Sequence, residues 1–232
     1  MLNIDTTNMC SHLQRKLFEE GGEYHRLCVA MQEDPELTAV VRSRQLHVYR
    51  NGKKVLVLAG KAAPKILVDD PLGEMLFTIR PAKPEEAGLV LDFIKRLAVY
   101  EKCADEVVAD EETLYHSLFV ERSAEVVFAQ EGATVVGFAL FFHNFSTFMG
   151  RKGLYLEDLF VLPEKRGRGY GKALLKYLAK LAVERHCGRM EWICLDWNKP
   201  ALKVYRSIGA IPMDEWTVQR LTESALKEFA ND

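Results

Sequence analysis

No apolar run in this chain is long enough to cross a bilayer as a helix, so no helical anchor is expected within these residues. The stretch Met1–Asn8 lacks the basic start and apolar core of a secretion signal. There is no C-x-x-C pair. Cys10, Cys28, Cys103, Cys187 and Cys194 are odd in number and scattered, which argues against a disulfide framework or a zinc ribbon and for reduced thiols in a cytoplasmic setting. Neither sign of charge dominates: the net charge is -2, so nothing global draws the chain to nucleic acid or to a membrane. Internal repeats and low-complexity segments are also missing.

What is there fits a globular protein. The 232 residues suffice for one large domain, or one medium and one small, and 48% hydrophobic against 28% charged content can build a core. The chain is organised around Leu154–Ala182. An apolar run of strand length, Leu154–Leu162, carries Glu157 and Asp158 inside it. A glycine-rich loop follows, Arg166-Gly167-Arg168-Gly169-Tyr170-Gly171-Lys172. Then comes a helical period with Leu174, Leu178 and Leu181 on one face and Lys172, Lys176 and Lys180 on the other. Strand, glycine loop and helix start together form a geometry that holds phosphate, because glycines admit close approach and the first helical N–H groups are unpaired. Two familiar versions fail by counting. A P-loop needs four residues between its glycines and Ser or Thr after its Lys, whereas Ala173 follows Lys172. A dinucleotide fingerprint needs two residues between its last glycines, whereas Gly169 and Gly171 have one.

The chain around this loop resembles the GNAT superfamily of N-acetyltransferases, most closely its spermidine/spermine (diamine) branch, over about two thirds of its length, from Phe77 to Leu221. The resemblance is carried by Ile79-Arg80-Pro81-Ala82, Ala98-Val99-Tyr100-Glu101, Val136-Gly137-Phe138-Ala139, Leu154-Tyr155-Leu156-Glu157-Asp158, the Arg166–Gly171 loop, Trp197-Asn198-Lys199-Pro200, Val204-Tyr205-Arg206 and Gly209-Ala210. It implies an α+β GNAT fold with a mixed central sheet over residues 75–232, acetyl-CoA as cosubstrate, no metal, and a homodimer. By the same resemblance, Leu159, Phe160 and Val161 form the strand edge that pairs with the pantetheine arm. Arg166, Gly167, Arg168, Gly169, Tyr170, Gly171 and Lys172 form the diphosphate loop, and Asn198 makes a polar contact to the cofactor as well as capping a helix before Pro200.

An amine of pKa ~10.4 is protonated at neutral pH and cannot attack a thioester. The enzyme must take that proton, stabilise an oxyanion and protonate the leaving thiolate. The resemblance makes Glu157 the base, directly or through a water, and Tyr205 the acid. In a regular strand Glu157 and Asp158 point to opposite faces, so only one of them is expected to face a given cleft. Tyr100 and Glu101 match amine-contacting positions, Ser146 aligns where the branch carries an acid, and Asp214 is a further candidate for substrate charge. A long polyamine, a shorter diamine and a lysine-like amino acid all stay open as acceptors. Cys194 has no evident His partner for nucleophilic work, and His143 reads as packing.

Residues 1–74 read as a separate small α+β unit of unassigned role. Two short helices, Ser11–Glu20 and Glu23–Gln32, are broken by Gly21-Gly22. Leu46–Arg50 and Lys53–Leu58 flank Asn51-Gly52, a strong hairpin signal. Lys65–Val68 reads as a strand and Asp69–Gly73 as a linker. Arg42–Lys65 carries seven Lys or Arg and no acid, which a solvated hairpin face explains better than a nucleic-acid surface. Further strands are expected at Met190–Leu195 and Trp216–Leu221. The competing class is an acetyl-CoA-binding sensor, and a protein amine is the competing acceptor.

Overall fold

The computed structural model describes residues 4–62 and 64–231; residues 1–3, 63 and 232 lie outside the described residues. The chain divides into two compact units, Met1–Ile193 and Cys194–Asp232.

The first unit begins with helices α1 (Ser11–Phe18) and α2 (His25–Glu33), then strands β1 (Leu37–Arg42), β2 (Gln45–Arg50), β3 (Lys53–Leu58) and β4 (Lys65–Ile66). The strands form an antiparallel sheet in sequence order. Leu13 and Leu17, one turn apart, and Leu27, Cys28 and Met31 bury the inner helix faces together with Leu46, Val48, Leu56 and Leu58. Asn51 and Gly52 both have positive φ (49° and 78°), the two-residue turn expected there. The β1–β2 turn has the same backbone sense at Ser43 and Arg44 (50° and 65°), residues that do not announce it.

Asp69–Gly73 is not a linker. Asp70 Oδ1 accepts from the Leu72 N–H at 3.0 Å and caps α3 (Pro71–Glu74), while Leu72 and Leu76 enter the N-terminal core. Arg50 fastens the segment, donating to Asp70 (2.8 Å), Asp34 (2.7 Å) and Glu36 (3.2 Å).

The second sheet of this unit follows with β5 (Phe77–Pro81), α4 (Ala87–Glu101), α5 (Glu111–Tyr115), β6 (Glu125–Glu131), β7 (Thr134–Ser146), β8 (Arg151–Val161), α6 (Tyr170–Glu184) and β9 (Met190–Trp192). Its order is β5-β6-β7-β8-β9, antiparallel up to β8 and parallel between β8 and β9, hence mixed. Val90, Phe93 and Leu97 of α4 pack on Phe128, Phe138 and Phe160. Asp110 Oδ1 caps α5 by accepting from the Thr113 N–H at 2.8 Å.

Gly137, opposite Val161 across the β7–β8 pair, has no room for a side chain. An added Cβ would lie 2.7 Å from the Phe160 carbonyl oxygen and 3.1 Å from Val161 Cγ2. Gly137→Ala is therefore expected to destabilise the fold by about 1–3 kcal/mol, read from the urea midpoint. An unshifted midpoint would mean that the strand pair yields freely.

The second unit contains α7 (Lys199–Ser207) and α8 (Glu223–Asn231). Two expectations are corrected here and at the preceding strand. β9 stops at Trp192, short of Leu195, and Trp216–Leu221 forms no strand. The alternation of Trp216 and Val218 with polar neighbours sets two faces, but a strand also needs a ladder partner, and none pairs with this stretch among the described residues.

Candidate active site

β8 is the longer member of the β8–β9 pair. Its parallel register with β9 covers only Leu154–Leu156 against Met190–Trp192. From Glu157 to Val161 its β9-side edge has no strand partner among the described residues, while its other edge stays bonded to β7. Main-chain donors and acceptors along Leu159, Phe160 and Val161 are therefore offered to something other than a strand. An extended amide-bearing arm satisfies such an edge as an added strand does.

The expected alternation of Glu157 and Asp158 does not hold. Leu140 pairs with Asp158 and the next residue, Phe141, with Leu156, so Glu157 is the extra residue of a β-bulge. The bulge re-aims this part of the strand. Glu157 is exposed and Asp158 is half-buried. Burial, followed by the charges of Glu157 and Glu101, pushes the Asp158 carboxyl up to about 6. Glu101, in the last turn of α4, is also raised by burial. The Cys103 thiol is raised first by burial and then by the surrounding carboxylates, Asp158 among them. Three carboxylates, two of them reluctant to ionise, thus gather where β8 leaves its neighbour. A cation brought there would relieve both the burial and the mutual repulsion. Among the described residues no three His, Cys, Asp or Glu side chains are arranged to hold a metal ion.

Next to this cluster Tyr100 lies edge-on to Phe160, with ring centroids 6.4 Å apart, and the Arg166 guanidinium covers both rings at 4.4 and 5.2 Å. Arg166 Nε also donates to the Val161 carbonyl at 3.0 Å. Arg168 turns instead to Glu131, 3.3 Å away. Both arginines thus also contact the protein, and Arg166, Gly167, Gly169 and Lys172 are exposed. Gly167 and Gly169 have positive φ (75° and 93°) with open space where a Cβ would stand. The first intrahelical bond of α6 runs from the Ala173 N–H to the Gly169 carbonyl (2.9 Å). The N–H groups of Tyr170, Gly171 and Lys172 precede it and have no helical acceptor. An exposed Lys172 and the positive end of a 15-residue helix complete a cradle suited to a diphosphate.

The other sequence candidates lie elsewhere. Ser146 is buried at the far end of β7, opposite Arg151, where its hydroxyl accepts from Arg189 and from the Met149 N–H, each at 3.3 Å. Six residues of extended strand put it about 20 Å along β7 from Leu140, the partner of Asp158. His143 stands on β7, its pKa lowered by burial and then by Lys152 and Arg185, which suits a packed neutral imidazole. Asn198, Tyr205 and Asp214 belong to the second unit. Asn198 Oδ1 accepts from the Ala201 N–H at 3.4 Å and caps α7, Tyr205 lies in the last turns of that helix, and Asp214 is exposed beyond it. Sequence reasoning did not single out Asp158 as a site residue or Glu131 at all. A bulge leaves no mark on the apolar alternation, and a Glu before a Gly turn reads as solvated.

Residues 93–210 match the Acetyltransferase (GNAT) family. The chain is 37% identical over 168 residues to a thialysine N-epsilon-acetyltransferase of Bos taurus, covering 66% of this chain and 96% of that protein. It is 31% identical to the L-ornithine N5-acetyltransferase NATA1 of Arabidopsis thaliana, covering 68% and 90%. Among solved structures, an integron cassette protein of V. cholerae superposes with a TM-score of 0.58 at 30% identity, covering 68% of this chain and 99% of that one. A predicted acetyltransferase of Clostridium acetobutylicum, solved with acetyl-CoA, shares the fold at a TM-score of 0.53 and 21% identity, covering 63% and 97%.

Proposed function

The chain belongs to the GNAT family of acetyltransferases, and from that premise we propose how its own residues carry the transfer and which amines it takes. It is an acetyl-CoA-dependent N-acetyltransferase acting on small-molecule amines. We assign the acceptor to short diamines and lysine- or ornithine-like amino acids, whose amino group stands at the end of a flexible aliphatic stem. One observation carries this assignment: Asp158, with a pKa of about 6, shares its surroundings with Glu101 and Glu157 at the point where β8 departs from β9. Such a cluster favours a ligand with positive charge over a neutral one. The thialysine and ornithine acetyltransferases among the relatives act on amines of this kind by their names.

In the proposed reaction Asp158 and Glu101 hold the acceptor by its ammonium charge. Glu157, exposed on the bulge, takes a proton from the attacking nitrogen, directly or through a water. The free electron pair forms the C–N bond at the thioester carbonyl, the C–S bond breaks, Tyr205 gives its hydroxyl proton to the departing thiolate, and the acylated nitrogen releases its surplus proton, which restores the Tyr205 hydroxyl. The Leu159–Val161 edge aligns the pantetheine arm, and the N–H groups at the start of α6 with Lys172 take the diphosphate. A homodimer and a cytoplasmic setting belong to the same proposal on family resemblance. So does the division into an N-terminal unit, 1–74, and a catalytic domain, 75–232.

Release of free CoA thiol across an amine panel tests the assignment. Ornithine, lysine, thialysine and short diamines are expected to turn over with kcat/KM at least about tenfold above neutral-tailed amines of equal length. Equal rates on both classes would remove the carboxylate cluster from substrate choice. Cofactor binding without turnover on any amine would favour the sensor reading.

A further inference from the structure

Glu131 ends β6 immediately before the Gly132 turn, and its side chain is fully buried. Every partner comes from a distant part of the chain. Lys165 pairs with Oε2. Tyr170 donates its hydroxyl to Oε1 at 2.6 Å, and Arg168 approaches the same oxygen at 3.3 Å. The Tyr24 hydroxyl, from the N-terminal unit, reaches it at 3.5 Å. Burial raises the Glu131 pKa, but the bonds from Lys165 and Tyr170 outweigh burial and hold it below the usual carboxylate range, so the group is an anion.

Three of these partners belong to the stretch Lys165–Tyr170, the front of the phosphate cradle. Two glycines within it take left-handed backbone, and such a loop loses much conformational freedom when a ligand orders it. Glu131 removes that freedom in advance. It holds the loop at both ends, through Lys165 and Tyr170, while Lys172 beyond them is exposed. Phe77 stacks on the Tyr170 ring, with centroids 5.0 Å apart, and fixes the same corner. The N-terminal unit extends the network: Lys16 pairs with Glu23 at 2.8 Å, Glu23 lies 4.0 Å from Lys165, and Lys16 also sits 4.7 Å over the Tyr24 ring.

We propose that Glu131 is a positioning residue that preorganises the diphosphate loop, and that the N-terminal unit tunes acetyl-CoA binding by contributing Tyr24 and Glu23 to that anchor. The inference rests on the reading that Arg166–Lys172 hold the diphosphate. It gives Tyr24 and Glu23 of the N-terminal unit a role in cofactor binding through Glu131 and Lys165.

The test compares kcat/KM for acetyl-CoA with that for acetyl-pantetheine, which has the same thioester but no diphosphate. Wild type is expected to prefer acetyl-CoA, and Lys172→Ala to lose much of that preference. Glu131→Gln is expected to shrink it by about tenfold or more. The Glu23→Gln/Tyr24→Phe double variant is expected to shrink it by about fivefold, through KM rather than kcat. The double variant leaves the buried carboxylate in place and decides the question if Glu131→Gln does not fold. A merely structural role would depress both thioesters alike, and that result overturns the proposal. Full preference in both variants, with Lys172→Ala impaired, also overturns it and leaves the diphosphate reading intact. Loss confined to Glu131→Gln overturns the part assigned to the N-terminal unit. A wild-type enzyme without preference removes the diphosphate reading and the inference with it.

Discussion

If Tyr205 is the acid of the proposed reaction, Tyr205→Phe is expected to lower kcat by about 10²–10⁴-fold. The variant keeps the ring and removes one hydroxyl from a partly exposed side chain, so packing changes little. In the proposed reaction it removes the proton for the leaving thiolate. α7 fixes the position of the residue: Asn198 caps the helix, Pro200 suits its first turn, and Tyr205 follows little more than one turn later. The assigned role has a chemical signature. An acetyl thioester of a more acidic thiol needs less help to depart, so the gap between wild type and variant should narrow with it. Unchanged turnover removes Tyr205 from the mechanism, and a gap of constant size across leaving groups assigns it to binding.

Asp158→Asn is expected to lower kcat/KM for a diamine or lysine-like acceptor by about 10²–10³-fold, the scale of truncating one side of a desolvated charge pair. In wild type the same parameter should fall about tenfold per pH unit below pH 6, where Asp158 becomes neutral. The variant should lose that limb. Stability moves the other way. The folded carboxyl titrates near 6 against an ordinary 3.8, so the fold favours the protonated group. That contribution is complete below about pH 4 and is lost as pH rises through 6. Asn carries no such charge. Asp158→Asn should therefore be more stable than wild type at pH 7 by about 2–3 kcal/mol and show no such gain at pH 4, by thermal unfolding. A variant that gains stability and loses activity is what a charged site held against burial produces.

Much of this was written locally and could be read. The Asn51-Gly52 turn, Asn198 as a cap and the glycine loop leading into α6 are decided by neighbours in sequence. Features set by distant partners were not legible. Ser43 and Arg44 make a tight turn without glycine because β1 and β2 on either side enforce it. Asp69–Gly73 carries linker chemistry, yet Arg50 and the apolar core draw it in. Glu157 and Asp158 read as alternating, and a one-residue slip against Leu140–Phe141 changed what each faces. Glu131 became a buried anchor only because Lys165, Arg168 and Tyr170 fold back over it. The candidate residues were thus visible as types, while their burial and neighbours were visible only in three dimensions.

The central claim is that an ammonium group docks against a cluster whose key member, Asp158, titrates near 6. Calorimetric titration of a short diamine into the CoA-saturated protein tests it directly, since CoA carries no acetyl group to transfer. Affinity is expected to be about tenfold weaker at pH 5 than at pH 7.5 in wild type, and equally weak at both in Asp158→Asn. Binding of the same strength at both pH values in wild type, or undiminished binding by the variant, would contradict the account.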